Sequence, residues 1–583
     1  MKIVKKIFDK FKGIDEAGKR FPISLTLAVL FVVVRIYMNE MDASFSSNLM
    51  EKLNRISMIL AMGIPLSLVI GLIIERFLKK DRLKATIFYG LGLLFLFFYY
   101  YFLLLDLNYV SIVRYTGMLM FLIISFFYVS RIRLKEDYEK YVIHVFSQIF
   151  LTALYSLVLL LGTYFILFTV DQLFDIDVKW KYYYYVFLII SMIFAVAFFL
   201  SKLPKPFEDF KDKTYSKSLR ILLAYIVIPL ISIYTFILYL YFGKILIQKD
   251  WPKGLVSHLV LWYSAVSVGV IFLITPVVEE DKICKKFKDL FPKVILPILL
   301  MMFISIGIRI RDYGITENRY YVVALGIWVT AMMIHISIRG TKRNILIPLT
   351  LSLILLNSVF GPLSSFAISK YSQNKRFVNI LEANNMIEGK QIIKNSNIDE
   401  ESKKEINNIL EYFEGSHSFD DVKYIKKGFN LNQMKEVFGF EYTSSGNYYY
   451  DEYFNHQRYV GIESLEVTGY DYFVDMKYLD EGLGTRIKNL LIKQGPEGVL
   501  SIVREEEILF EEDLKLIGKS LYDEFGSKEN GKYERSIEEM TYEFEDSGIK
   551  IKLIFNEISG RIEKDTRNIS IENFSYILFI KVK

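Results

Sequence analysis

The feature that most constrains this chain is a succession of apolar stretches, each close to the ~20 residues a helix needs to cross the hydrocarbon core of a bilayer. They run at 21–38, 56–74, 85–105, 110–130, 141–170, 182–200, 219–247, 255–278, 294–308, 319–338 and 343–360. Most carry no charge at their centre. Each backbone polar group in lipid must be satisfied within its own segment, so such stretches are predicted to be helices. The expected fold class is therefore a polytopic α-helical membrane protein of about 11 transmembrane helices. The stretch at 294–308 is short and reads either as a span or as a re-entrant segment. Those at 141–170 and 219–247 are long and must tilt or extend past the interface. Pro65, Pro229 and Pro297 fall inside spans, where proline is tolerated.

Charge divides the chain in two. Residues 1–360 hold 42 Lys and Arg against 25 Asp and Glu, a net +17. Residues 361–583 hold 29 against 40, a net −11. A basic, apolar part joined to an acidic, polar part reads as a membrane unit followed by a solvated one. Three regions are expected: a cytoplasmic basic segment at 1–20, a transmembrane region at 21–360, and a soluble extracytoplasmic α+β region at 361–583 with a subdivision near 480. In the first, Val4, Ile7, Phe8, Phe11 and Ile14 recur at helical spacing among lysines, as in either an interfacial helix on anionic lipid or a solvated lead-in. No small-residue cleavage site follows the first apolar run, so no cleavable signal peptide is expected.

Orientation follows from the Lys and Arg count in successive loops. The counts alternate at every crossing, and the basic-rich segments total 29 against 8 on the other side. The expected arrangement puts the N-terminus in the cytoplasm and the C-terminal region outside, in a multi-pass protein of the bacterial cell membrane. The lone cysteine, Cys284, allows no intramolecular disulfide.

Beyond residue 370 the pattern shortens. Asp399–Glu414 is predicted helical, with Ile406, Leu410 and Phe413 on one face, and 511–524 likewise with Leu514, Ile517 and Leu521. Alternation at Ile549–Phe555 and Ser575–Val582 predicts strands. The aromatic run Tyr448–Phe454 suits either a strand and turn or a platform for sugar rings.

No zinc helix, cysteine pair, P-loop, nucleophile elbow or dinucleotide fingerprint is present, so no catalytic residue, metal or cofactor is assigned. His144, His258, His335, His417 and His456 are scattered. Arg35, Arg114, Lys244 and His335 lie near span ends, from which they can snorkel. One expected outward face nevertheless gathers cations, with aromatic and polar neighbours, from distant segments: Lys244, Trp251 and Lys253; Arg309, Arg311, Tyr313, Glu317 and Arg319; and Lys370, Gln373, Lys375 and Arg376. Arginine presents a planar fork suited to phosphate or carboxylate. The group is either a site for an anionic ligand or a surface on which acidic chain docks.

The same segments carry a resemblance. Trp251-Pro-Lys-Gly254 between two long spans, Tyr313-Gly-Ile-Thr-Glu-Asn-Arg-Tyr320, and Gly361-Pro-Leu-Ser-Ser365 followed by Ser372-Gln373 resemble the bacterial membrane family called domain of unknown function 4153, over roughly residues 130–390. That resemblance implies a many-span envelope protein and brings no established activity, cofactor or catalytic residue. The leading expectation is a non-enzymatic sensor, scaffold or partner-binding protein. Alternatives are a transporter or lipid flippase and, on the strength of Glu40 and Asp42 in an outward loop, a membrane glycosyl or phosphoryl transferase. Expected partners are the lipid bilayer, an anionic lipid or cell-wall polymer, and a membrane protein, with no nucleic acid.

Overall fold

In the computed structural model the described residues are 15–41, 47–78, 81–132, 137–174, 178–205, 207–210, 214–248, 255–340, 343–442, 452–458, 465–476, 484–495, 498–505, 507–525, 534–546, 548–562 and 569–582. Residues 1–14 of the expected basic segment 1–20, with its candidate interfacial helix, lie outside them, as do Trp251 and Lys253. The chain divides into two compact units, Met1–Tyr442 and Thr443–Lys583.

The first unit is built on helices α1 (Pro22–Glu40), α2 (Ser47–Phe77), α3 (Arg82–Phe102), α4 (Tyr109–Val129), α5 (Tyr138–Phe174), α6 (Trp180–Ser201), α7 (Lys217–Gln248), α8 (Leu255–Ile274), α9 (Lys282–Tyr313), α10 (Glu317–Arg339) and α11 (Leu346–Val359). Among the described residues, ten of these helices are long and apolar enough to cross a membrane. α11 is shorter: its 14 residues span about 21 Å at 1.5 Å per residue, against a hydrocarbon core of about 30 Å. α9 corrects the expectation of a short or re-entrant segment. It is one helix of 32 residues that runs through Pro292 and Pro297. The apolar window looked short because lysines and arginines occupy both ends of the helix. Cys284 sits buried in its first turn. α5, at 37 residues or about 55 Å, is as overlong as expected. α6 and α7 each contain a π-helical stretch, Ile189–Phe194 and Leu222–Val227.

The ends of the helices are tied in two sets. At one end the Arg20 guanidinium makes two bonds to Glu75, at 2.8 and 2.9 Å, and two to the carbonyls of Leu203 and Pro204. There too the Asn344 amide reaches Glu139 at 2.6 Å and Thr275 at 3.2 Å. At the other end Glu40 accepts from Lys181 and Tyr185. α8 is the most enclosed of the long spans, and its Ser257, Ser264 and Ser267 are fully buried. Small residues let membrane helices approach where no hydrophobic effect draws them together. Gly117 shows the same device between α4 and α11: a Cβ there would stand 2.7 Å from Val359 Cγ1.

After α11 the chain forms a cap at the second end. It consists of α12 (Ser365–Ala383), the hairpin β1 (Ile387–Glu388) and β2 (Gln391–Ile392), α13 (Glu400–Ser416) and α14 (Met434–Val437). Asp399 caps α13 by accepting from the Ser402 amide. Its face of Ile406, Ile409, Leu410 and Phe413 is buried with Phe377, Leu381 and Phe438. The cap belongs to the same compact unit as the bundle.

The second unit is mainly β. Six strands, β3 (Glu452–Arg458), β4 (Tyr472–Asp475), β9 (Glu534–Arg535), β10 (Thr541–Glu545), β11 (Ile549–Ile562) and β12 (Ile569–Val582), form one sheet around the long antiparallel pair β11–β12. A four-stranded antiparallel meander holds β5 (Gly484–Ile487), β6 (Leu490–Gln494), β7 (Val499–Arg504) and β8 (Glu507–Asp513). α15 (Leu514–Phe525) follows β8 directly, as the predicted 511–524 segment required apart from its first turn. Leu490, Ile492, Leu500 and Ile502 share a core with Leu553, Phe555 and Leu578. The expected break near 480 and residues 448–451 of the aromatic run fall outside the described residues; Glu452 opens β3.

Candidate functional site

The second end of the bundle is organised around the turn from α9 to α10. α9 stops at Gly314, whose φ of 68° and amide bond back to the Ile310 carbonyl close the helix. Glycine is needed twice over: a side chain would strain that φ, and a Cβ would lie 2.9 Å from Gln373 Nε2. The turn is gripped from α12. Ser372 Oγ accepts from the Ile315 amide at 2.8 Å, and Gln373 Nε2 donates to the carbonyls of Tyr313 and Ile315 at 3.1 and 3.0 Å. Arg319 donates to the carbonyls of Tyr313 and Gly314 at 3.0 and 2.7 Å. The Tyr313 ring has the guanidinium of Arg319 at 5.6 Å and that of Arg376 at 6.0 Å from its centroid. Arg376 is also paired with Glu405 of α13 at 2.7 Å, and exposed Arg311 with its neighbour Asp312 at 3.0 Å. Tyr320 donates to the Leu363 carbonyl, and the Tyr321 hydroxyl lies 3.0 Å from Ser365 Oγ.

The structure thus brings Arg309, Tyr313, Glu317, Arg319, Gln373 and Arg376 together; Gln373 and Glu317 bond across the contact between cap and bundle, Arg319 closes the turn within the bundle, and Arg376 pairs within the cap. Arg309 lies within electrostatic reach of Arg319. It makes no hydrogen bond or ion pair among the described residues. Lys244 is exposed on α7 and likewise without such a partner among the described residues.

Glu317 stands apart from its neighbours. It opens α10, where a carboxylate suits the positive end of the helix dipole, and is 3% exposed. Tyr412 of α13 donates its hydroxyl proton to Glu317 Oε1 at 2.7 Å, and His417 Nε2 approaches the same oxygen at 2.8 Å and the Tyr412 hydroxyl at 2.9 Å. Burial, reinforced by the adjacent Glu317 charge, pushes the Tyr412 phenol well above its ordinary value. An acid, an imidazole and a phenol from segments about a hundred residues apart therefore form one buried contact between a membrane helix and the cap. No local pattern pointed to His417 or Tyr412; the hint was two acids, Asp312 and Glu317, among the arginines of 309–319.

Beside this contact lies a cavity of about 470 Å³. Asn108, Tyr109 and Arg114 of α4 line it on the bundle side, and Ser364, Lys370 and His417 on the cap side. Arg114 lies five residues into α4, about 7.5 Å from its start. Its Nε makes a long 3.4 Å bond to the Val359 carbonyl and its guanidinium covers the Phe366 ring at 5.4 Å. No carboxylate pairs with it among the described residues. Tyr99 is within its electrostatic reach, and the hydroxyl of this fully buried side chain has no hydrogen-bond partner among the described residues. Lys370 is paired with Asp421 at 2.9 Å. Among the described residues no cluster of His, Cys, Asp and Glu could hold a metal ion.

The model of the domain of unknown function 4153 matches residues 24–385, which takes in all of these turns and the first cap helix. An uncharacterised protein of Pasteurella multocida strain Pm70, designated PM1469, is 26% identical over 222 residues. That stretch is 38% of this chain and 37% of the relative, so the match spans well under half of either protein. No solved structure matches.

Proposed function

The chain belongs to the family called domain of unknown function 4153, and we propose that it is a non-enzymatic protein of the bacterial cell envelope, a sensor or scaffold whose cap is mechanically fastened to the membrane bundle. The observation that carries this reading is the buried Glu317–Tyr412–His417 contact. A buried carboxylate is tolerated only when its bonds are complete, so a cap that shifts must either carry α10 with it or leave the charge stranded. That couples events at the cap to the bundle. The alternation of Lys and Arg supports a cytoplasmic N-terminus and an external cap and C-terminal unit. The partners we propose on that outer side are an anionic envelope component or another membrane protein.

Two measurements test the reading. A Lys427→Cys protein on intact cells should react with a membrane-impermeant maleimide; protection until the cells are broken would reverse the orientation. In purified full-length protein, His417→Ala should accelerate hydrogen exchange across residues 314–320 of the bundle as well as in the cap. Acceleration confined to the cap would remove the coupling on which the sensor role rests, and substrate turnover by the purified chain would replace it with an enzymatic one.

A further inference from the structure

We propose that the cavity between α4 and the cap is a binding site for an oxyanion, a phosphate group in the first instance, with Arg114 as its cation. The assignment goes beyond the coupling role and does not rest on it. Three features of the cavity agree. Arg114 enters from the apolar side, and only a long bond to a carbonyl and a ring face occupy it. Its terminal nitrogens make no hydrogen bond among the described residues, which leaves the fork that matches two phosphate oxygens unused. Second, two long helices begin at the cavity: α4, behind its cap Asn108, and α12, behind its cap Ser364. Each cap satisfies a later amide, so the earliest amides and the positive dipole ends remain for an anion. Third, the volume of about 470 Å³ exceeds what a few waters need and fits a phosphorylated headgroup.

The lining also includes two carboxylates. Asp421 is neutralised by Lys370 at 2.9 Å, and Glu414 is solvent-exposed. Neither sits on α4, so the membrane side of the cavity stays cationic. Exposed apolar residues flank that side, Leu105 and Ile112 around α4 and Leu363 after α11, where the acyl chains of a lipid would lie. A phosphate could reach the site on a lipid or free in solution, and the two sources share the same recognition.

The test uses the full-length protein in detergent, with native mass spectrometry and thermal unfolding as readouts. The probes are phosphatidylglycerol, phosphatidylcholine, glycerol 3-phosphate and inorganic phosphate. At least one phosphate probe should bind and raise the unfolding temperature. Arg114→Gln should weaken that binding about tenfold or more, with Arg114→Lys intermediate, because a lost charge-assisted fork is worth at least that factor. Ser418→Trp, which fills the cavity and leaves Arg114 in place, should weaken it as well. Lys390→Gln, exposed in the turn of the β1–β2 hairpin and outside the cavity, should not. Binding of the lipid alone identifies a headgroup site, and binding of the soluble probes identifies a free-anion site; either supports the assignment. Equal binding by wild-type, Arg114→Gln and Ser418→Trp proteins, or no binding of any probe by folded protein, overturns it.

Discussion

The Tyr412 hydroxyl carries more than an ordinary surface bond, because its acceptor is a carboxylate buried beneath the cap. Tyr412→Phe leaves the ring in place and strips Glu317 of a donor. The expected cost is about 1–3 kcal/mol, read as a lowered unfolding temperature of the purified protein. The pH dependence follows from the direction of the shift. The folded-state phenol titrates above its unfolded value of about 10, so its contribution is complete below pH 10 and fades as pH rises beyond it. Stability measured from pH 8 to 11 should therefore fall less steeply in Tyr412→Phe than in wild type. An unchanged slope would show that Tyr412 is not held neutral by this contact. At this scale little was legible in advance. Arg319 and Gln373 were singled out as cations and amides on one face, yet their donors go to the backbone carbonyls of Tyr313, Gly314 and Ile315. Residue type and spacing carry no information about which distant carbonyl a side chain will meet.

Among the elements, α13 was readable and α9 only in part, for one reason. An amphipathic helix announces itself by periodicity, and the predicted face of α13 is the buried one. Leu410 is fully buried there, so Leu410→Ala should destabilise the cap by about 2–5 kcal/mol. Hydrogen exchange should locate the loss in residues 365–442 while the central bundle helices keep their protection. α9 lost its ends because a hydropathy window stops at charge, whereas a helix stops where its backbone bonds stop, here at Gly314. The helix continues through Lys282–Lys293 because long basic side chains can reach the interface while their backbone stays helical. The π-helical stretches in α6 and α7 had no signature in the sequence, since one extra residue in a uniformly apolar span leaves hydropathy unchanged.

At the level of the whole molecule, the bundle and the β-rich unit obey different physics. The unit 443–583 has its own core, in which the β5–β8 meander shares buried residues with β11 and β12. Residues 443–583 expressed alone should therefore be soluble, show a strand-rich spectrum and unfold cooperatively. A chain that stays unfolded or aggregates would show that this core needs the rest of the protein. The positions of the apolar helices could be read from the sequence, because the bilayer demands long apolar runs, a property of contiguous residues; among the described residues ten of the eleven expected spans are long apolar helices and α11 is shorter. The tertiary structure alone decided that Glu317 would meet Tyr412 and His417, that α12 would grip the turn at Gly314, and that a cavity would open beneath Arg114. Those contacts join segments about 60 to 250 residues apart, and their energy depends on shape and mutual burial, which no local pattern of residues encodes.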